Sequence, residues 1–114
     1  MSIESFDIGD QIRLGNQVGD NADGTDRAAF TTIAGVASDP TTVTLELLKP
    51  DATTLTYAWP TQGAADGLLT REEVGRFYRD VSLDSAGLWH WTLTGTGTVG
   101  TSESGSFYVR RSTI

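Results

Sequence analysis

The sequence predicts an all-β fold, a single antiparallel β-sandwich of about seven strands, and three observations carry that prediction. Threonine recurs among apolar residues in Thr41-Thr42-Val43-Thr44, Thr53-Thr54-Leu55-Thr56 and Thr92-Leu93-Thr94, and β-branched side chains suit a pleated, half-buried surface better than a helix. Short alternating segments separated by turn residues run along most of the chain, which is the pattern of a sandwich or barrel and not of βαβ units. From Gly75 to Thr96, Phe77, Val81 and Leu83 share one parity, Trp89, Trp91 and Leu93 share a second strand's inward parity, and Asp84-Ser85-Ala86-Gly87 separates the two sets.

The elements follow in order. Gln11 to Leu14 places Ile12 and Leu14 on one face. Arg27 to Ala34 reads as a second strand, with Ala29, Thr31 and Ile33 on one side and Phe30 and Thr32 on the other. Thr42 to Leu48 alternates Val43, Leu45 and Leu47 with Thr44 and Glu46, a half-buried strand. Lys49-Pro50-Asp51-Ala52 makes a turn, with proline fixing φ and aspartate bonding nearby backbone, so a hairpin returns through Thr53 to Trp59. Pro60 ends that strand because it has no N–H for a ladder. Thr61 to Val74 is read as a brief strand or irregular crossover, since Gly67 and Gly75 leave too little room for a stable helix around Thr70-Arg71-Glu72-Glu73. Gly75 to Thr96 then forms a hairpin covered by the Val43 to Trp59 hairpin. Gly95 to Ser106 reads as a turn or flexible edge, and Gly105 to Val109 as a last strand in the same sheet.

Length and charge limit the function classes. The chain has 114 residues, enough for one hydrophobic core and so one domain over 1–114, with 1–8 and 110–114 as possible terminal arms. Apolar residues make up 38% with no run long enough to cross a bilayer, so a soluble protein is expected. Residues Met1 to Asp7 lack the basic and apolar regions of a secretory signal, which points to synthesis in a cytoplasm. The absence of cysteine excludes a disulfide framework and thiol chemistry. Fifteen acidic residues against eight basic ones give a net charge of -7, which disfavours nucleic acid as a partner.

Several segments together carry a resemblance. Asp7-Ile8-Gly9-Asp10-Gln11-Ile12-Arg13-Leu14, Asp39-Pro40-Thr41-Thr42-Val43-Thr44-Leu45, Gly75-Arg76-Phe77 and Leu83-Asp84-Ser85-Ala86-Gly87-Leu88-Trp89-His90-Trp91 with Gly95-Thr96-Gly97 resemble, in order, small immunoglobulin-like virion proteins. Those proteins are encoded in the head and neck gene cassettes of tailed bacteriophages and prophages. Gly15 to Asp26 departs from the pattern, being longer and more acidic. The resemblance implies an immunoglobulin-like sandwich, a virion location after synthesis in a bacterial host, and no catalytic residue. It further implies contacts with major capsid, portal or neck proteins, in decoration of the capsid or in a head-tail connector, as a homo-oligomer or in many copies. A free immunoglobulin- or fibronectin-like module that recognises a glycan or a cell-surface partner is the alternative.

Candidate chemistry is sparse. Gly19 to Asp26 partly follows a calcium loop, with Asn21, Asp23 and Asp26 as ligand candidates, but Gly19 and Phe30 stand where the pattern needs carboxylates. No cofactor is expected. His90 is the one histidine and no serine has a nucleophile-elbow context, so it reads as a surface or interface residue opposite the tryptophans. Glu72, Glu73, Asp80 and Asp84 could suggest a glycosidase pair, but carboxylates are dense throughout the chain and an enzyme is not expected. Partner contacts are assigned to Ile3, Phe6 and Ile8 in an N-terminal arm, to Trp59 beside Pro60, and to the outward-facing Tyr78, His90 and Tyr108. Arg110 and Arg111 near the C-terminus complete the set, facing an acidic surface.

Overall fold

A computed structural model describes residues 5–16, 29–32, 34–97 and 101–110. These residues form nine strands and no helix: β1 Ser5–Asp7, β2 Gln11–Gly15, β3 Thr42–Leu48, β4 Thr54–Trp59, β5 Gly67–Leu68, β6 Thr70–Glu73, β7 Arg76–Ser82, β8 Gly87–Thr96 and β9 Thr101–Arg110. They build two sheets, a six-stranded one ordered β1-β9-β8-β3-β4-β5 and a three-stranded one ordered β2-β7-β6. Apolar alternation decides which side of each strand faces inward. Val43, Leu45 and Leu47 on β3, Trp89, Trp91 and Leu93 on β8, and Phe107 and Val109 on β9 meet Ile12 and Leu14 of β2 and Phe77 and Val81 of β7 in one core cluster. The Phe77 ring sits 4.7 Å from Trp59 across the two sheets. Burial of side chains this large supplies most of the stabilisation, about 25 cal/mol per Å² of apolar surface removed from water.

The β3–β4 hairpin forms as expected, with Lys49 N–H bonded to the Thr53 carbonyl at 2.9 Å and the Asp51 carboxylate accepting from Thr53 N–H at 3.0 Å. The last strand does pair with β8, and it begins earlier than the apolar pattern indicated. Ser102, Ser104 and Ser106 lie on its outer side, so backbone pairing extends a strand that hydropathy alone does not mark. Gly105 stands opposite Trp91.

Two expectations are corrected and two are refined. Gly75 to Thr96 is not a hairpin: β7 belongs to the three-stranded sheet and β8 to the six-stranded one, and β3 pairs directly with β8 instead of covering it. Between them the chain leaves β7 to bond the loop before β2, Leu83 N–H reaching the Asp10 carbonyl at 2.9 Å and Gly9 N–H the Leu83 carbonyl at 2.8 Å. The strand expected over Arg27 to Ala34 is absent among its described residues, where only Thr31 makes an isolated bridge, to Ala37. There the backbone folds back on itself, with Thr32 N–H on the Val36 carbonyl and Ser38 N–H on the Phe30 carbonyl. The short stretch before Gly75 resolves into two strands, β5 and β6, one in each sheet. Within the segments read as possible terminal arms, Ser5–Asp7 adds to the sheet edge parallel to β9 and Arg110 ends β9, and residues 1–4 and 111–114 lie outside the described residues.

Gly15 closes β2 at a φ of 141°, with an added Cβ falling 2.2 Å from the Phe77 carbonyl oxygen, so only glycine lets β2 lie this close to β7. It delivers Asn16, 1% exposed, into the core edge.

Candidate functional site

Outward positions on the three central strands of the large sheet converge on one shallow hollow. The register sets Leu48 of β3 between Thr54 of β4 and His90 of β8, and sets Glu46 beside Thr92, two residues along. Glu46, Leu48, Thr54, His90 and Thr92 line a concavity of about 260 Å³. His90 is exposed, and its Nδ1 shares a 2.7 Å hydrogen bond with the Ser106 hydroxyl on β9, which fixes the ring over the adjoining strand. Around the hollow the face is neutral and hydroxyl-rich, with Thr44, Thr94 and Ser104 projecting outward beside it and the Thr42 and Thr96 hydroxyls bonded to each other at one end. At the other end Leu88 and Tyr108 are cross-strand partners and both stand exposed.

Electrostatic pairing singles out one residue of this face. Arg13 is paired with Asp80, Lys49 with Asp84, Arg71 with Asp39, Arg76 with Glu73 and Arg110 with Asp7. Arg79 donates to the Leu68 carbonyl at 3.1 Å and lies over the Tyr57 ring. Asp10, Asp51 and Asp66 accept from backbone N–H groups of Asp7, Thr53 and Thr56, and Glu72 and Glu103 are engaged as well. Among the described carboxylates Glu46 alone has neither an ion pair nor a hydrogen bond, and it sits in the hollow. The Arg13 guanidinium, hydrogen-bonded to Asp80, holds that carboxyl below the usual range, and the Thr53 hydroxyl does the same for Asp51.

The residues assigned to partner contacts separate into groups. His90, Tyr108 and Arg110 share the outer face of the large sheet, with Arg110 bound 3.2 Å from Asp7. Tyr78 is on the outer side of the small sheet, its ring 3.9 Å beneath the Arg13 guanidinium. Phe6 turns inward and meets Phe107 edge-on at 5.8 Å, so its ring belongs to the core. Trp59 is half-buried against Phe77, and Ile8 is exposed in the loop after β1. Ile3, Arg111 and the loop residues Asn21, Asp23 and Asp26 lie outside the described residues. Asp80, Asp84 and Glu73 are each held by a different cation. No group of three or more potential metal ligands occurs among the described residues, and no helix among them is long and apolar enough to cross a membrane.

Sequence reasoning missed Glu46, Leu48 and Thr54 as site residues. The available signal was Glu46 itself, the one charge in the strand Thr42 to Leu48. Compared with protein-family models, with curated proteins and with solved structures, the chain matches none of them significantly.

Proposed function

We propose that this protein is a non-catalytic structural component of a tailed-phage virion, an immunoglobulin-like sandwich that docks onto capsid or head-to-tail neck proteins through the outer face of its larger sheet. One observation carries the docking reading. Leu48, Leu88 and Tyr108 stand 44%, 41% and 46% exposed on the same sheet face, around the hollow and beside His90. Apolar side chains gathered in this way on a regular face are what a protein interface covers.

Strand order supports the immunoglobulin-like assignment. The sequence of pairings β2-β7-β6 corresponds to strands B, E and D of that fold, and β3-β8-β9 to C, F and G, with β1 added at the G edge. The tryptophans depart from the pattern, Trp89 and Trp91 lying on β8 and Trp59 on β4, where the fold's usual one is on strand C. A second feature suits assembly: no described strand pairs with the free side of β9 from Thr101 to Phe107, which leaves ladder groups for a neighbouring chain. The virion setting rests on the ordered resemblance of the sequence segments.

Quantitative protein analysis of purified phage particles tests the proposal. Hundreds of copies per particle are expected for decoration and about a dozen for a neck ring, following closed symmetric assembly. A protein absent from particles, whose isolated monomer binds glycans, would favour the recognition-module alternative.

A further inference from the structure

We propose that the hollow around Glu46 is the seat of an arginine side chain presented by the partner protein. This deepens the docking proposal and rests on it for the partner's being a protein.

The chemistry of the hollow selects a cation. Glu46 is a carboxylate with no ion pair or hydrogen bond among the described residues, in a protein of net charge -7. An anionic ligand would meet both the local charge and the overall field. The lining also selects the kind of cation. Thr92 stands opposite Glu46 on β8, and Thr54, diagonal to it on β4, lines the same hollow, giving acceptors spread across three strands. A guanidinium, with five donors in a planar fork, can address several such acceptors together, whereas an ammonium is a compact, strongly hydrated point charge. Leu48 offers an apolar surface for the methylene stem, and the ring of His90, fixed by Ser106, offers a flat one for the guanidinium plane.

Size and openness then favour a presented side chain over a free molecule. At about 260 Å³ the space is below that of drug-sized pockets and suits a single side-chain head. An isolated ion pair in so open a place contributes little, because water screens it. Covering Leu88 and Tyr108 in the same contact would exclude that water and strengthen the pair.

Backbone amide spectra of the intact protein, titrated with N-acetyl-arginine amide and separately with the uncharged N-acetyl-citrulline amide, test the inference. Saturable shifts are expected for the arginine probe only, centred on 46–48 and 90–92. Glu46→Gln is an exposed, isosteric change that leaves the thermal transition in place, and it should reduce those shifts at least fivefold. Thr92→Val, which keeps the β-branched shape, should weaken binding by about two- to threefold through the lost acceptor. Shifts spread evenly over all surface carboxylates, equal shifts with citrulline, or an unchanged response in Glu46→Gln would overturn the arginine seat. Particle incorporation is a separate measurement: wild-type protein in virions without a guanidinium response removes only this inference, and a Glu46-dependent response in a protein absent from particles removes the virion setting and leaves the seat standing.

Discussion

Asn16 joins segments 59 residues apart in sequence with two side-chain hydrogen bonds: its Nδ2 donates to the Gly75 carbonyl at 2.8 Å and its Oδ1 accepts from Phe77 N–H at 2.7 Å. In Asn16→Ala the Phe77 N–H would lose this acceptor, whereas the Gly75 carbonyl keeps its bond from Phe30 N–H at 2.9 Å. At about 1–3 kcal/mol for a buried unsatisfied group, the variant should lose about that much in urea unfolding, with its m-value unchanged. Asn16→Asp should show a pH signature. Its carboxylate would face the Gly75 carbonyl with no proton to donate, so the folded state raises its pKa. Destabilisation is then greatest at neutral pH and eases as pH falls and the carboxyl protonates. The two buried tryptophans give a matched comparison. Trp89 Nε1 donates to the Ser85 carbonyl at 2.9 Å, whereas Trp91 Nε1 is buried without a partner. Trp89→Phe should therefore cost about 1–2 kcal/mol more than Trp91→Phe in the same urea experiment, since apolar loss is similar and only the first breaks a hydrogen bond. Equal costs would remove the hydrogen bond as the cause. None of this was visible in the sequence for Asn16, since a polar residue after a glycine reads as loop and hydropathic alternation ranks only apolar positions.

Between elements, the β2–β7 pair is tied by Arg13 and Asp80, cross-strand neighbours with Arg13 Nε 2.8 Å from Asp80 Oδ1 and Nη2 3.2 Å from Oδ2. Because the folded state depresses the Asp80 pKa, its contribution is present above the unfolded carboxylate pKa and is lost as pH falls through the folded one. Asp80→Asn should thus be less stable than wild type near pH 7, and the two unfolding curves should converge in acid. The pair is exposed, so the gap is small; a gap that widens toward acid would contradict the sign. Register explains which parts of the fold were readable. Val43, Leu45 and Leu47 could be assigned an inward side because alternation has a period of two, and Lys49 to Ala52 named the β3–β4 turn through proline and aspartate chemistry. Phe77 and Trp89 were also assigned inward correctly, but two inward-facing strands satisfy the same parity either side by side or across the core. Long-range backbone bonds such as Leu83 to Asp10 decide between those, and nothing local encodes them. The hollow was hidden for the same reason. His90 was legible as outward, while its neighbours Leu48 and Glu46 came from a pairing of β3 with β8 that the sequence reading had placed in opposite layers.

Across the whole molecule the two outer faces differ in how far they are already satisfied. The small sheet's face is occupied by its own interactions, Arg13 bonding Asp80 and lying over Tyr78. The large sheet's face holds exposed Leu48, Leu88 and Tyr108 with unpaired Glu46 among them. A partner that covers the large face gains apolar burial there, and one that covers the small face must first compete with an existing ion pair. Replacing Leu88 and Tyr108 together by threonine keeps strand-compatible side chains and changes nothing in the core, so the thermal transition should move little. Each residue is about half exposed and would bring about 1 kcal/mol to a covered interface, and the two together correspond to at least a tenfold loss of affinity. Incorporation into particles, measured against wild type in a mixed assembly, should fall by about that factor. Tyr78→Ser is the control on the opposite face. It should lower stability by removing the surface under Arg13, with a weak cation-π contribution of about 0.5–1 kcal/mol, and leave incorporation per folded molecule unchanged. If Tyr78→Ser instead lost incorporation while the Leu88 and Tyr108 double variant assembled normally, docking would lie on the three-stranded sheet.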